Sequence, residues 1–125
     1  MIYGIGIDLC SIRRVQNIKD LNKFANKILT SDEIEYLGTL DQKNSVNYLA
    51  KQFAAKEALS KALGTGLIGD VKLNLIEIDR DQSGKPYIKM NDHMKTLLSK
   101  IGVNSTFVSL ADDSDFAVAT VILER

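Results

Sequence analysis

Glu57 and Lys61 stand four residues apart in the run Phe53-Ala54-Ala55-Lys56-Glu57-Ala58-Leu59-Ser60-Lys61-Ala62-Leu63-Gly64-Thr65-Gly66. On a helix, that spacing puts a carboxylate and an ammonium on one face, a turn apart. An exposed pair of this kind contributes only about 0.3–0.5 kcal/mol and, taken alone, marks a solvated face. Phe53 and Gly64 fall on nearly the same line, however, and the run ends in a glycine-rich turn. Such a turn lets a ligand approach the backbone. It also follows a helix C-terminus, where the macrodipole opposes an anion. A phosphate held there needs positive charge from a lysine and a divalent cation. Mg2+ takes one or two carboxylates together with phosphate oxygens and water, which gives Glu57 a chemical purpose. A second carboxylate, Asp8, ends the segment Gly4-Ile5-Gly6-Ile7-Asp8. That segment is not a dinucleotide fingerprint, because its glycines lie inside a strand pattern and the third is missing. Nor is the Gly64 turn a Walker A loop, which opens a helix with Gly-Lys-Ser/Thr. Glycine within a strand marks close approach of another backbone or of a ligand. By residue type alone, Asp8 equally suits a cap or a turn. Cys10 reads as a small buried hydrophobe and the sole histidine, His93, as a surface residue.

These groups need elements to hold them. Residues 2–9 alternate with period two, which predicts a strand with a glycine-lined face. Ser11 caps a short helix with Ile12, Val15 and Ile18 on one side and Arg13, Arg14 and Lys19 on the other. Leu21, Phe24, Ala25 and Ile28 continue helically. Thr30 with Glu33 is a capping box. Val46, Leu49, Ala50, Phe53, Ala54, Ala58 and Ala62 predict a long amphipathic helix from about Ser45 to Leu63, stopped by Gly64. A flexible loop over 65–70 follows, then a strand over Val71–Asp79, a turn at 81–84 and a second strand over Lys85–Met90 with Pro86 at an edge. Asn91 or Asp92 caps a helix ending at Gly102. Thr106–Leu110 and Phe116–Leu123 pair as a hairpin across 112–115. The order β, helices, ββ, α, ββ predicts an α+β fold, with a largely antiparallel sheet packed on the long helix.

The chain has 125 residues, enough for one domain spanning 1–125. Sixteen basic residues balance sixteen acidic ones, so the formal net charge is zero. That speaks against a nucleic-acid binder, which carries a basic excess. One cysteine permits no internal disulfide. No apolar run is long enough to span a membrane, and residues 1–10 read as a strand instead of a signal peptide. A cytoplasmic protein with no membrane partner is expected. Charge is uneven along the chain: residues 1–30 are basic, 31–41 hold Asp32, Glu33, Glu35 and Asp41 without a cation, 42–100 are basic, and the remainder is acidic. Such blocks are solvated faces or docking patches for partners of opposite charge.

Taken together, these motifs resemble the holo-acyl-carrier-protein synthases, the small bacterial 4′-phosphopantetheinyl transferases. The likeness covers essentially the whole chain. It rests on Gly4-Ile-Gly6-Ile-Asp8 with Arg14, on the run from Phe53 to Gly66, on Gly84-Lys85-Pro86, and on Val108-Ser109-Leu110 with Ala117-Val118-Ala119. The resemblance implies transfer of 4′-phosphopantetheine from coenzyme A to a serine of apo-acyl carrier protein, for fatty acid biosynthesis, with adenosine 3′,5′-bisphosphate released. It implies Mg2+ on Asp8 and Glu57, and Glu57 and Lys61 as catalytic residues. Coenzyme A would contact Lys61, Gly64, Thr65, Lys85, Pro86 and Ser109. The carrier's acidic helix would meet Arg13, Arg14, Lys19 and Lys23, with Lys27 beside them. It also implies a homotrimer with active sites between subunits. The apolar residues of both parities in 71–78 and 116–123 independently suggest sheet faces that need a second cover.

The chain departs from the family pattern at positions that would hold the nucleotide half of coenzyme A. Two family histidines on the penultimate strand are replaced within Phe107–Asp112, and an arginine before Phe53 is replaced by Gln52. An alternative reading is therefore a coenzyme A or carrier-binding module that keeps the fold without catalysis. Retention of Asp8, Glu57 and Lys61 favours the enzyme.

Overall fold

The computed structural model describes residues 1–65 and 71–125. Its elements are β1 (Ile2–Ser11), α1 (Ile12–Gln16), α2 (Leu21–Ile28), α3 (Ser31–Leu37), α4 (Gln42–Leu63), a 3-10 turn (Leu73–Leu75), β2 (Ile78–Arg80), β3 (Pro86–Ile88), α5 (Asp92–Ile101), β4 (Ser105–Asp112) and β5 (Phe116–Glu124). Two antiparallel sheets form, one ordered β1-β5-β4 and the other β2-β3. Each helix starts on a side-chain cap: Ser11, Asp20, Thr30, Asp41 and Asn91 accept from backbone N–H groups in the first turn. Thr30 and Glu33 form the capping box that their spacing predicts.

The core lies between α4 and the inner face of the larger sheet. Ala54, Ala58 and Leu59 of α4 and Ala117, Ala119, Val121 and Leu123 of β5 are fully shielded from solvent. The joint between β1 and α4 is tighter still. A Cβ placed on Gly6 would sit 1.8 Å from the Ala58 carbonyl oxygen, and one on Gly4 would sit 2.0 Å from that of Ala62. The glycine-lined face of β1 therefore accommodates helix backbone.

Five sequence expectations need correction. The stretch 71–79 is a strand only from Ile78; before that it makes the 3-10 turn, burying Val71 and Ile76 while Leu75 stays exposed. Its mixed-parity apolar residues reflect this turn and not a strand covered on both faces. Residues 85–90 form a strand only over Pro86–Ile88. The long helix begins at Gln42 because Asp41 caps it, earlier than its apolar stripe shows. The short helix stops at Gln16, leaving Ile18 outside. The hairpin turn is narrower than expected, since β4 runs to Asp112 and Asp113 Oδ1 accepts from the amides of Asp115 and Phe116 at 2.8 and 2.7 Å. From Gly66 to Asp70, the expected glycine-rich loop lies outside the described residues.

Candidate active site

β1 is an edge strand, and its glycine-lined face packs on α4. Asp8 belongs to the helix-facing set with Gly4 and Gly6, so the near-contact of backbones brings its carboxylate to α4. Lys61 Nζ donates to Asp8 Oδ1 at 3.0 Å and to the Ile7 carbonyl at 3.0 Å. One turn earlier, Glu57 is half-buried. Its carboxyl is pushed above the ordinary glutamate value, first by burial and then by the charge of Asp8, with Lys61 opposing. Asp8, Glu57 and Lys61 thus form one electrostatic unit at the sheet edge. Gly64 ends α4 with φ 81°, a left-handed turn suited to glycine. Gly64 and Thr65 are exposed beside it.

Among the described residues no cluster of three or more His, Cys, Asp or Glu side chains could hold a metal. Two hard carboxylates with room for water and phosphate oxygens fit Mg2+, which seldom uses an all-protein cage. They do not fit a tetrahedral structural metal.

Arg13 and Arg14 on α1, Lys19 in the link to α2, and Lys23 and Lys27 on α2 are all exposed. They continue directly from the end of β1. In their midst, Phe24 of α2 meets Phe53 of α4 with ring centroids 5.7 Å apart. Cys10 lies beneath this face; burial first, then Asp8, raises its thiol, with Arg14 opposing, which makes a nucleophilic role unfavourable.

One subunit does not bring the whole expected coenzyme A set together. Lys61, Gly64 and Thr65 lie on the β1 side. Lys85 and Pro86 belong to the β2-β3 hairpin, which packs beside β4 at the other end of the sheet order. Ser109 aligns with Thr120 and, through it, with Ile7, on the outer face of the sheet. It is two strands from β1 and on the opposite face from Asp8.

Sequence reasoning missed a buried network beneath the site. Lys56, wholly buried, donates to Glu33, to the Ile28 carbonyl at 2.6 Å and to the Leu73 carbonyl at 3.1 Å. Glu33 also accepts from Gln52, from the Thr30 amide at 2.9 Å and from the Ile78 amide at 3.0 Å. The one hint in the sequence is that Lys56 is embedded among Ala54, Ala55, Ala58 and Leu59, which alone does not show what would pair with it. A cleft of about 830 Å3 also went unread; it lies between α3, α4, β2 and β4. His93 is half-buried with Nε2 enclosed and unbonded, not the surface residue expected.

The comparisons place the chain in a family. Residues 4–121 match the family model of the 4′-phosphopantetheinyl transferase superfamily. A holo-[acyl-carrier-protein] synthase of Buchnera aphidicola is 41% identical over 98% of this chain and 98% of its own. The crystal structure of the Neisseria meningitidis holo-[acyl-carrier-protein] synthase superposes with a TM-score of 0.92 at 39% identity, covering 100% of both chains. That of the Bacillus anthracis enzyme, in complex with CoA (3′,5′-ADP), gives 0.83 at 36% identity, covering 98% of this chain and 96% of that one. The fold that presses a glycine strand onto the long helix is thus matched along nearly its full length, and the chain belongs to the holo-[acyl-carrier-protein] synthase family of 4′-phosphopantetheinyl transferases.

Proposed function

We propose that this enzyme moves the 4′-phosphopantetheine group of coenzyme A onto a serine hydroxyl of apo-acyl carrier protein, for fatty acid biosynthesis in the cytoplasm. The observation that carries this reading is the meeting of Asp8, Glu57 and Lys61 where β1 packs on α4, with the basic residues of α1 following β1 in the chain. Phosphoryl transfer asks a protein mainly for positioning and charge neutralisation. Lys61 is half-exposed and can turn from Asp8 to a phosphate oxygen. Asp8 and Glu57 would hold Mg2+, which would offset diphosphate charge as a Lewis acid. The serine oxygen forms a bond to the pantetheine-side phosphorus, and the bridging P–O bond breaks. Adenosine 3′,5′-bisphosphate departs with the bond's electron pair. The serine proton passes to Glu57 or to water. Arg13, Arg14, Lys19 and Lys23 would receive the acidic carrier around the Phe24–Phe53 pair.

The division of the coenzyme A residues between two flanks supports a site shared by neighbouring subunits. One subunit would supply Asp8, Glu57, Lys61, Gly64 and Thr65, and the next Lys85, Pro86 and Ser109. The outer sheet face supports the same assembly. Ile5, Ile7, Leu9 and Phe107 are 59%, 60%, 62% and 51% exposed. They form rows with Ile122, Thr120 and Val118 of β5. An apolar face of this kind marks an interface, and a ring of three copies would cover it.

The decisive experiment incubates the protein with coenzyme A, Mg2+ and apo-acyl carrier protein and weighs the carrier by mass spectrometry. A phosphopantetheine adduct is expected. An unchanged mass with every divalent metal tried would leave a binding module. Light scattering is expected to show a trimer; a fully active monomer would refute the shared site.

A further inference from the structure

Helix α2 is tied to α4 at two points, one turn apart on each helix. Phe24 meets Phe53 with ring centroids 5.7 Å apart, and the Ile28 carbonyl accepts from Lys56 Nζ at 2.6 Å. Ile28 closes α2, so its carbonyl is one of the orphan acceptors of a helix C-terminus. An ammonium placed there satisfies the acceptor and meets the negative end of the macrodipole. Lys56 is thus a cap supplied from another helix. The exit of α2 is pinned again at Thr30, whose amide donates to Glu33 at 2.9 Å and whose hydroxyl donates to Glu77 at 2.7 Å. Ile28, Leu29, Glu33 and Lys56 are all buried, whereas the entry of α2 rests on the exposed Asp20 cap. A helix of 8 residues does not hold itself in water, so these ties decide where it sits.

In the transferase reading, on which this inference rests, α2 with its exposed Lys23 belongs to the face that receives the carrier. On α4 the residue after Lys56 is Glu57. Successive helical side chains point about 100° apart, so one turn of α4 sends Lys56 inward to the exit of α2 and Glu57 toward Asp8. We propose that Lys56 is a positioning residue for the carrier: by capping α2 it fixes the docking helix in register with Glu57, so that a carrier seated on α2 brings its serine to Asp8, Glu57 and Lys61. Lys56 itself is wholly buried, out of reach of either substrate, and acts through α2.

The test needs a variant that loses the cap and keeps the fold. Lys56→Met alone strands the Glu33 charge in the interior. Lys56→Met with Glu33→Gln removes both charges, and the new amide oxygen still accepts from a backbone N–H, while the cap on α2 stays lost. In this double variant KM for apo-acyl carrier protein is expected to rise about tenfold, and KM for coenzyme A to change by less than about twofold. A purely structural role would instead lower kcat through the folded fraction and leave both KM values in place. Amide hydrogen exchange is the second readout and needs no turnover. The α2 amides are expected to lose about tenfold in protection beyond any loss shared by α4 and β5. A double variant with the wild-type carrier KM would overturn the inference. So would an equal rise in both KM values, or α2 protection that moves only with the rest of the core. Failure of the transferase reading looks different: the wild type then transfers nothing to the carrier, while exchange in α2 still reports whether Lys56 caps it.

Discussion

Helix α4 carries two lysine–carboxylate pairs five residues apart, and they behave as different devices. Lys56 and Glu33 have side chains 0% and 3% exposed; Lys61 and Asp8 are 52% and 15% exposed. Lys56 spends all three ammonium protons on protein acceptors from α2, α3 and the 3-10 turn. Burial pulls its ammonium below the usual lysine value while Glu33 opposes that pull. Nothing in this pair is left over for a ligand. Lys61, by contrast, makes two contacts at the sheet edge and keeps one side in water. An ion pair whose valences are saturated in the dry interior fixes architecture. One with spare valence at the surface can exchange a protein partner for a substrate.

The largest effect should come from breaking the saturated pair. Lys56→Met leaves Glu33 buried without its cation and is expected to cost about 3–5 kcal/mol in denaturant unfolding. A loss below about 1 kcal/mol would make the pair no different from a surface contact. Next comes the open pair. Lys61→Met, Glu57→Gln and Asp8→Asn are each expected to lower kcat/KM by about a hundredfold or more. Lys61→Met should change stability by no more than about 1 kcal/mol. If either carboxylate variant turned over normally at saturating Mg2+, the two-carboxylate site would be wrong.

Reversal of the basic face by Arg14→Glu with Lys23→Glu is expected to raise KM for the carrier about tenfold and to leave KM for coenzyme A nearly unchanged. Salt should mimic the reversal, since the Debye length is about 8 Å at physiological ionic strength. A carrier KM insensitive to both would reduce these cations to a solvated face.

The smallest effect concerns pH. The folded-state carboxyl of Glu57 is raised above its unfolded value by burial and by Asp8. The folded state therefore holds that proton more tightly, and stability from this group is full below the unfolded value. It is lost as pH rises through the folded value. Glu57→Gln should then match the wild type in acid and exceed it by up to about 1 kcal/mol at neutral pH. Thermal melts at both pH values check this; a variant less stable at neutral pH would mean that Glu57 is a structural contact.

The same contrast explains what the sequence made legible. Local rules wrote themselves plainly: the Thr30–Glu33 box, the Gly64 stop and the cap at Asn91, which the sequence narrowed to Asn91 or Asp92, all lie within a few residues of what they control. Glu57 and Lys61 were legible because helical spacing predicts their common face. Lys56 was not, because a lysine in a helix reads as solvent-facing until three distant carbonyl and carboxylate oxygens are known to converge on it. The stretch before Ile78 misled for a related reason. Its apolar residues are buried one at a time around the Lys56–Leu73 contact, with no period for a strand pattern to reveal. The separation of Lys85, Pro86 and Ser109 from Asp8 required the sheet order, which no local pattern carries.

The contact between Gly4 and Gly6 and the carbonyls of Ala58 and Ala62 acts as a gauge block. Strand and helix stop against each other main chain to main chain, so the offset between Asp8 and Glu57 is set by atoms common to every amino acid. Side chains elsewhere in the core can be exchanged, with their volumes redistributed, and this offset need not follow. An engineer could repaint most of the interior and keep the spacing of Asp8 and Glu57. A single methyl group on Gly6 would lose it.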